Sequence, residues 1–383
     1  MAWEHGRNLG HVSRLTAVAG WLQQAGADIV WALPPGWADA EPFRSGPHRR
    51  VPAPRIVPSL AGPATAAQSF ADVLASFGFL DAAALQAAVR RWMDLFDQQA
   101  IERIVLDYAP AAQLAALLRG LPALQITNGF DAPPAECPLF GIGMRGPMLE
   151  RRNAQRVADL DRTIAAVAQA LGRATGASLR ELLTHPTRCY DCIAETDPYG
   201  PRANGVYVGP LGQPPETASV PWPEGAAEAP KVFVYLRAEA QVDRVLAALQ
   251  RVGALAIAAW PGASGQALAV RERTGLRLVN RAVNLREVLP QCAAVVNYGS
   301  TTLVCQAVLA GKPQVMWPVD AEKWLVARRV EQVGAGVAVG PATLDAVEGA
   351  LMKCLAGGLT GQAKTAARSL HGLAATLVVK WVE

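Results

Sequence analysis

The sequence predicts an α/β protein built of two doubly wound, parallel-sheet domains, and three observations carry that reading. At 383 residues the chain exceeds what a single hydrophobic core usually serves. Short apolar, β-rich runs alternate with Ala/Leu-rich stretches of helical spacing, the pattern of βα units. One proline-rich stretch interrupts this alternation, which then restarts.

In chain order, the first half begins with a short strand, "MAWE", as in a chain that begins late, which should hand over to a helix within "HGRNLGHVSRL" (5–15). Strands are expected at "ADIVWAL" (27–33), "RIVLDYAP" (103–110) and "ALQIT" (123–127), while residues 35–100 carry no clear periodic signal. Residues 150–183, rich in Ala, Leu and Arg, read as one helix. The stretch "GPLGQPPETASVPWPEGAAEAP" (209–230) reads as an interdomain linker. Strands then follow at "KVFVYL" (231–236), "ALAIAAW" (254–260), "LRLVN" (276–280), "AAVVNYG" (293–299) and "PQVMW" (313–317), with a helix near 240–251.

Composition excludes several classes. With 51% hydrophobic and 18% charged residues the chain can bury large cores and does not resemble a disordered polymer. The net charge of +4 is mild, and no Lys/Arg run is interleaved with aromatics, so no nucleic-acid partner is expected. Peripheral contact with an anionic membrane surface stays open, but no apolar stretch reaches the roughly 18 residues of a spanning helix. The start "MAWEHGR" lacks the features of a signal peptide, which points to the cytoplasm. The six cysteines are scattered. Cys189 and Cys192 form a CxxC without the second pair that a structural metal wants, so no metal site is expected.

In doubly wound sheets ligands bind beyond the carboxyl ends of the strands, where loops meet helix N-termini. Three such loops carry chemistry. "NYGSTTLVCQAVLAGKP" (297–313) offers the hydroxyls of Ser300, Thr301 and Thr302 at a helix start, a phosphate cradle or a plain helix cap. "WPVDAEKWLVARRV" (317–330) offers Asp320, Glu322 and Lys323; carboxylates there accept from sugar hydroxyls or simply face the helix dipole. "HGRNLGHVSRL" (5–15) spends two glycines, two histidines and basic residues on the first turn.

Taken together, the order of "VNYGSTTLVCQAVLAGKPQVMWPVDAEKWLVARRVEQVGAGVAV" (296–339) resembles the donor-binding signature of GT-B glycosyltransferases of the UDP-glycosyltransferase-like superfamily. The matching positions are Gly299, Ala307, Gly311, Pro313, Pro318, Ala327, Arg328, Arg329 and the closing "GAG" (334–336). "LGHVSRLTAVAGWLQQAGADIVWAL" is similar to the family's first βα unit, "YVGPLG" (207–212) to its interdomain entry and "VFVYLR" to the first strand of its donor domain.

The resemblance implies a GT-B fold of two Rossmann-like domains facing a cleft. Residues 1–212 would form the acceptor-side domain, 213–230 the linker, 231–361 the nucleotide-sugar donor domain, and 362–383 a helix crossing back to the first. His11 would take the acceptor proton, oriented by Asp107. Gly10, Asn128 and Asp131 would touch the acceptor. Arg237 would reach the diphosphate, Val283 would place backbone against the base, and Tyr298, Gly299, Ser300, Thr301, Thr302, Gln306, Glu322 and Lys323 would hold the rest of the donor. The family's donor-phosphate histidine falls on Tyr298, or on Asn297 in a register shifted by one, and its ribose-binding glutamate falls on Gln306. Its sugar-binding Asp-Gln pair becomes Glu322 and Lys323.

The expected activity is metal-independent, inverting transfer of a sugar from a nucleotide diphosphate sugar, UDP or dTDP, to a hydroxyl acceptor. The nucleotide sugar is a co-substrate, and no cofactor is expected. The alternatives are a nucleotide-sugar epimerase or hydrolase of the same fold, or a catalytically degenerate partner of an active transferase.

Overall fold

A computed structural model describes residues 1–6, 9–57, 67–143, 146–173, 177–211, 218–237, 239–340, 343–359 and 370–382. The chain divides into two compact units, Met1–Asp191 with Arg202–Val208 and Gly372–Glu383, and Cys192–Pro201 with Gly209–His371. Among the described residues, no helix is long and apolar enough to cross a membrane.

The first unit runs β1 (Ala2–Trp3), α1 (Leu9–Gln24), β2 (Val30–Leu33), β3 (Arg49–Pro52), α2 (Phe70–Ser76), α3 (Ala82–Gln98), β4 (Ile104–Asp107), α4 (Pro110–Arg119), β5 (Ala123–Thr127), α5 (Pro147–Ala170), α6 (Leu179–Thr184), β6 (Thr187–Tyr190) and β7 (Val206–Tyr207). Its seven strands are parallel in the order β3-β2-β1-β4-β5-β6-β7. Helix α3 shows why such segments fold as they do. Leu85, Ala88, Val89, Trp92 and Phe96 recur at helical spacing and are buried, and the Asp81 side chain caps the start by accepting from Ala84 N at 3.0 Å.

The second unit opens on a 3-10 turn at Ala194–Thr196 and continues with β8 (Lys231–Tyr235), α7 (Glu239–Arg251), β9 (Leu255–Ala259), α8 (Gly265–Ala269), β10 (Leu276–Val279), α9 (Leu285–Val288), β11 (Ala294–Asn297), α10 (Thr301–Leu309), β12 (Gln314–Met316), α11 (Ala321–Gln332), β13 (Gly336–Ala338) and α12 (Leu344–Leu355). Its six strands are parallel in the order β10-β9-β8-β11-β12-β13. The sheet is buried on both faces: Val232, Val234, Ala256, Ala258, Ala294 and Val296 fill one core, and Phe233, Ile257, Ala259 and Val295 the other.

Two expectations change, and a third falls partly outside the described residues. The helix expected over 150–183 is two helices, α5 and α6; the second starts afresh from Ser178, whose hydroxyl accepts from Glu181 N while the Glu181 carboxylate accepts from Ser178 N. The proline-rich stretch is no free linker from residue 218 onward: Ala218 bridges Val283 in parallel and Val220 is buried in the second unit's core, while 212–217 lie outside the described residues. Of the expected C-terminal helix (362–383), 362–369 lie outside the described residues, and α13 (Leu370–Val382) is tied to the first unit, with Arg103 Nη1 donating to Trp381 O at 2.5 Å and stacking on its ring.

Candidate active site

The two sheets place their chemistry by one rule. Parallel strands bring their carboxyl ends to one edge, and where the winding reverses direction the loops part and leave room for a ligand. In the first sheet the reversal lies between β1 and β4, which are in register as Trp3 opposite Asp107. In the second it lies between β8 and β11, with Asn297 opposite Tyr235.

At the first edge, His11 on α1 turns Nδ1 onto both carboxylate oxygens of Asp107, at 2.9 and 3.0 Å. Asp107 is fully buried and His11 is 8% exposed. The indole of Trp3 stacks on the imidazole, with centroids 5.0 Å apart, and Trp37 packs against Trp3 in turn. The other ring nitrogen faces Gly6, whose φ is +89°, and a Cβ at that position would stand 2.2 Å from Nε2. Glycine therefore serves two ends here, allowing the left-handed turn and keeping a side chain away from Nε2.

A guanidinium stands behind this pair. Arg14, one turn along α1, places Nη1 3.5 Å from Asp107 Oδ1 and Nε 3.3 Å from Asp191 Oδ2, the acid just past β6. Asp131, in the loop after β5, accepts from the Thr127 hydroxyl and from Gln125 Nε2. Burial pushes the Asp191 carboxyl up to about 6 and raises that of Asp131, with the charge of Asp107 adding to both and Arg14 opposing.

Nearby, Glu4 follows β1 and accepts from Ala111 N and Ala112 N at the start of α4. Burial nonetheless raises its carboxyl to about 8. His5 stacks on Phe77 at 3.6 Å, and burial lowers its imidazole to about 4.

At the second edge, the Tyr298 ring lies between Tyr235, 5.5 Å away, and the exposed Arg237, whose guanidinium is 5.7 Å from its centroid. Asn297 is buried, bonded to Gln314, and its side chain accepts from Gly299 N at 2.7 Å. Gly299, at φ +90°, lies so close to α11 that a Cβ would come within 2.8 Å of Lys323 Cβ and 3.0 Å of its carbonyl. Ser300 begins α10, yet its hydroxyl makes no cap bond to that helix. Among the described residues, seven other helices do receive a side-chain cap, from Ser69, Asp81, Ser178, Ser264, Asn284, Asp320 and Thr343. Thr302 and Gln306, one turn apart on α10, are both half-buried. Glu322 receives the Lys323 ammonium and, at 3.5 Å, the Thr301 hydroxyl.

Several solved glycosyltransferases share this architecture. The calicheamicin glycosyltransferase CalG4 superposes with a TM-score of 0.65 at 18% identity, over 99% of this chain and 92% of that one. The GT-B fold is therefore the fold of this chain. Other GT-B structures agree: the spinosyn rhamnosyltransferase SpnG complexed with thymidine diphosphate (TM-score 0.64, 15% identity, 98% of this chain and 94% of that one), and the Streptomyces sp. SF2575 glycosyltransferase SsfS6, also complexed with thymidine diphosphate (0.56, 16%, 99% and 94%). Residues 243–369 match the family described as erythromycin biosynthesis protein CIII-like, C-terminal domain, which falls in the second GT-B unit and takes in the donor-type signature of 296–339. No curated protein matches the chain in sequence.

The structure thus brings His11, Asp107 and Asp131 to one edge, and Arg237, Tyr298, Gly299, Ser300, Thr301, Thr302, Gln306, Glu322 and Lys323 to the other. Gly10 precedes His11 on α1 and its carbonyl accepts from Arg14 Nε at 3.3 Å. Asn128 turns its side chain back onto Phe130 N at 3.1 Å, an Asx turn. Val283 buries its side chain in the core while Ala218 takes up the flanking Ala282 carbonyl and Asn284 N–H. Lys323 is 5% exposed and ion-paired, so its charge is engaged by Glu322. Sequence reasoning missed Gly6, Arg14 and Asp191. The signals were there: His11 and Arg14 stand at i and i+3 of one helix, and Asp191 closes "TRCYD" as Asp107 closes "RIVLD". Cys189 and Cys192 are buried and not joined in a disulfide, and no metal-holding group of His, Cys, Asp and Glu occurs among the described residues.

Proposed function

We propose that the chain is an inverting glycosyltransferase that moves a sugar from a nucleotide diphosphate sugar to a hydroxyl acceptor. The observation that carries this is the His11–Asp107 pair with Nε2 turned to a position that only glycine leaves open. Asp107 binds the Nδ1–H, which leaves Nε2 with the lone pair a general base needs. The acceptor O–H gives its proton to Nε2 as the oxygen attacks the anomeric carbon. The bond from that carbon to the diphosphate oxygen breaks in the same step, and the nucleoside diphosphate leaves with the electron pair.

On this reading Gly10, Asn128 and Asp131 line the acceptor's approach. The donor belongs to the second unit. The uncapped start of α10, with Ser300, Thr301 and Thr302, receives the diphosphate, and Arg237 adds charge beside Tyr298. The backbone at Val283 meets the base, Gln306 the ribose, and Glu322, fixed by Lys323, the sugar hydroxyls. Thymidine diphosphate in the complexes of SpnG and SsfS6 favours dTDP over UDP. Helix-terminal N–H groups and hydroxyls carry the leaving-group charge, so no metal is invoked, and a chelator should leave turnover unchanged.

The test is calorimetry with dTDP, UDP and GDP on the wild type, Thr302→Ala and Glu322→Ala. Saturable binding of dTDP or UDP, weakened by Thr302→Ala, is expected; a wild type that binds none of the three would sink the proposal. With a donor sugar in hand, nucleotide release that depends on an added hydroxyl acceptor, and that His11→Ala abolishes, separates transfer from hydrolysis or epimerisation.

A further inference from the structure

We propose that Arg14 is a positioning residue that poises the His11–Asp107 pair: its guanidinium fixes Asp107 and offsets the field of the buried carboxylates around it, so that His11 stays available as a base. The inference rests on His11 as the base. Three carboxylates, Asp107 from β4, Asp131 from the loop after β5 and Asp191 from the end of β6, converge at one edge of the sheet. All three are buried, and Arg14 lies 3.5 Å from the first and 3.3 Å from the third while carrying charge toward the second.

Three carboxylates in a poorly solvated site favour any proton that reduces their charge, and the imidazole against Asp107 is one of the groups that can take it. An imidazole charged in advance cannot take a proton from a hydroxyl. Arg14 opposes this from within α1, and its geometry excludes a loose role: it is 7% exposed, and its Nε is also anchored on Gly10 O. The remaining neighbours do not substitute for it. Trp3 is uncharged, His5 is packed on Phe77 and held neutral by burial, and Glu4, which adds a further acid to this end of the sheet, is turned onto α4. Lysine would carry the charge but could not reach both carboxylates with a rigid fork.

The experiment is a titration of the full chain by NMR with ¹⁵N-labelled histidine, without donor or acceptor; His11→Gln identifies the His11 signal among the five histidines. Removing a cation at this range is expected to raise the His11 midpoint in Arg14→Met by about one pH unit or more relative to wild type. Arg14→Lys is expected to move it by less than half as much, and Asp191→Asn to lower it. Loosened packing cannot produce shifts of opposite sign from variants that remove opposite charges. A midpoint that is unmoved or lowered in Arg14→Met overturns the proposal. Should that variant not fold, an unmoved midpoint in Asp191→Asn does the same. The titration needs no substrate, so its failure leaves the glycosyltransferase reading standing, and a failure to bind nucleotide leaves the titration standing.

Discussion

His11 and Asp107, 96 residues apart in the chain, meet with Nδ1 2.9 Å from a carboxylate oxygen that a fully buried strand end holds in place. The contact follows from β1 and β4 lying side by side at the point where the first sheet reverses its winding. Asp107→Asn keeps the shape but presents an amide that can donate to Nδ1, which moves the imidazole proton to Nε2 and removes the base. Turnover is expected to fall by roughly 10³- to 10⁴-fold. Nucleotide affinity should be unchanged, since the donor residues lie in the other unit. Steady-state kinetics together with calorimetry on the same variant checks both halves of this expectation.

Gly6 gives a sharper test of the same geometry. In Gly6→Ala the new methyl would lie 2.2 Å from Nε2, and a residue with a side chain must also hold φ at +89°. Either the imidazole turns away from Asp107 or the turn opens. We expect transfer to fall at least as far as in His11→Ala, and unfolding to cost about 1–2 kcal/mol less than in wild type. Activity retained above one tenth of wild type would show that the acceptor does not approach Nε2.

Much of this was legible before the fold was known, and the rest was not, for physical reasons. Val232 to Val234, Ile257 and Val295 sit in strands buried on both faces, so their runs are continuously apolar and easily read. Strand β3, "RRVP", is an exposed edge with two arginines and carries no such signature. His11 and Asp107 could be paired through a resemblance, but Arg14 and Asp191 could not, because their meeting depends on which strands are neighbours. Spacing along the chain does not encode that order. Lys323 shows the opposite failure: a lysine in a loop reads as solvated or free for a ligand, whereas the fold buries it against Glu322.

At the second edge Gly299 is the position least tolerant of change. A Cβ there meets the Lys323 backbone carbonyl at 3.0 Å, and backbone cannot step aside as a flexible side chain can. Gly299→Ala must therefore shift the start of α10 relative to α11 and disturb the Thr301–Glu322–Lys323 contacts. A loss of dTDP affinity of tenfold or more is expected by calorimetry, with the His11–Asp107 chemistry untouched. Unaltered affinity would place the diphosphate elsewhere.

Glu4 makes the stability of the first unit depend on pH in a direction opposite to that of most carboxylates. Its carboxyl is raised by burial to about 8, against an unfolded value of roughly 4.3. The native state therefore binds a proton there that the unfolded chain has already lost, and stability from this group falls as pH rises from about 4.3 through 8. His5, lowered by burial to about 4, works the other way below about pH 6.5: its charging on acidification favours the unfolded chain. The two slopes oppose each other in mild acid, so Glu4 is best read between pH 6.5 and 8. Glu4→Gln removes the titration while its amide oxygen can still accept from Ala112 N. Its stability relative to wild type should improve across that window by about 1–2 kcal/mol, while every titration shared by the two proteins cancels in the difference. Calorimetric melting of both at pH 6.5 and 8 measures it, and a difference that stays flat or narrows would mean that Glu4 is ionised in the folded chain throughout, held so by the two N–H groups of α4.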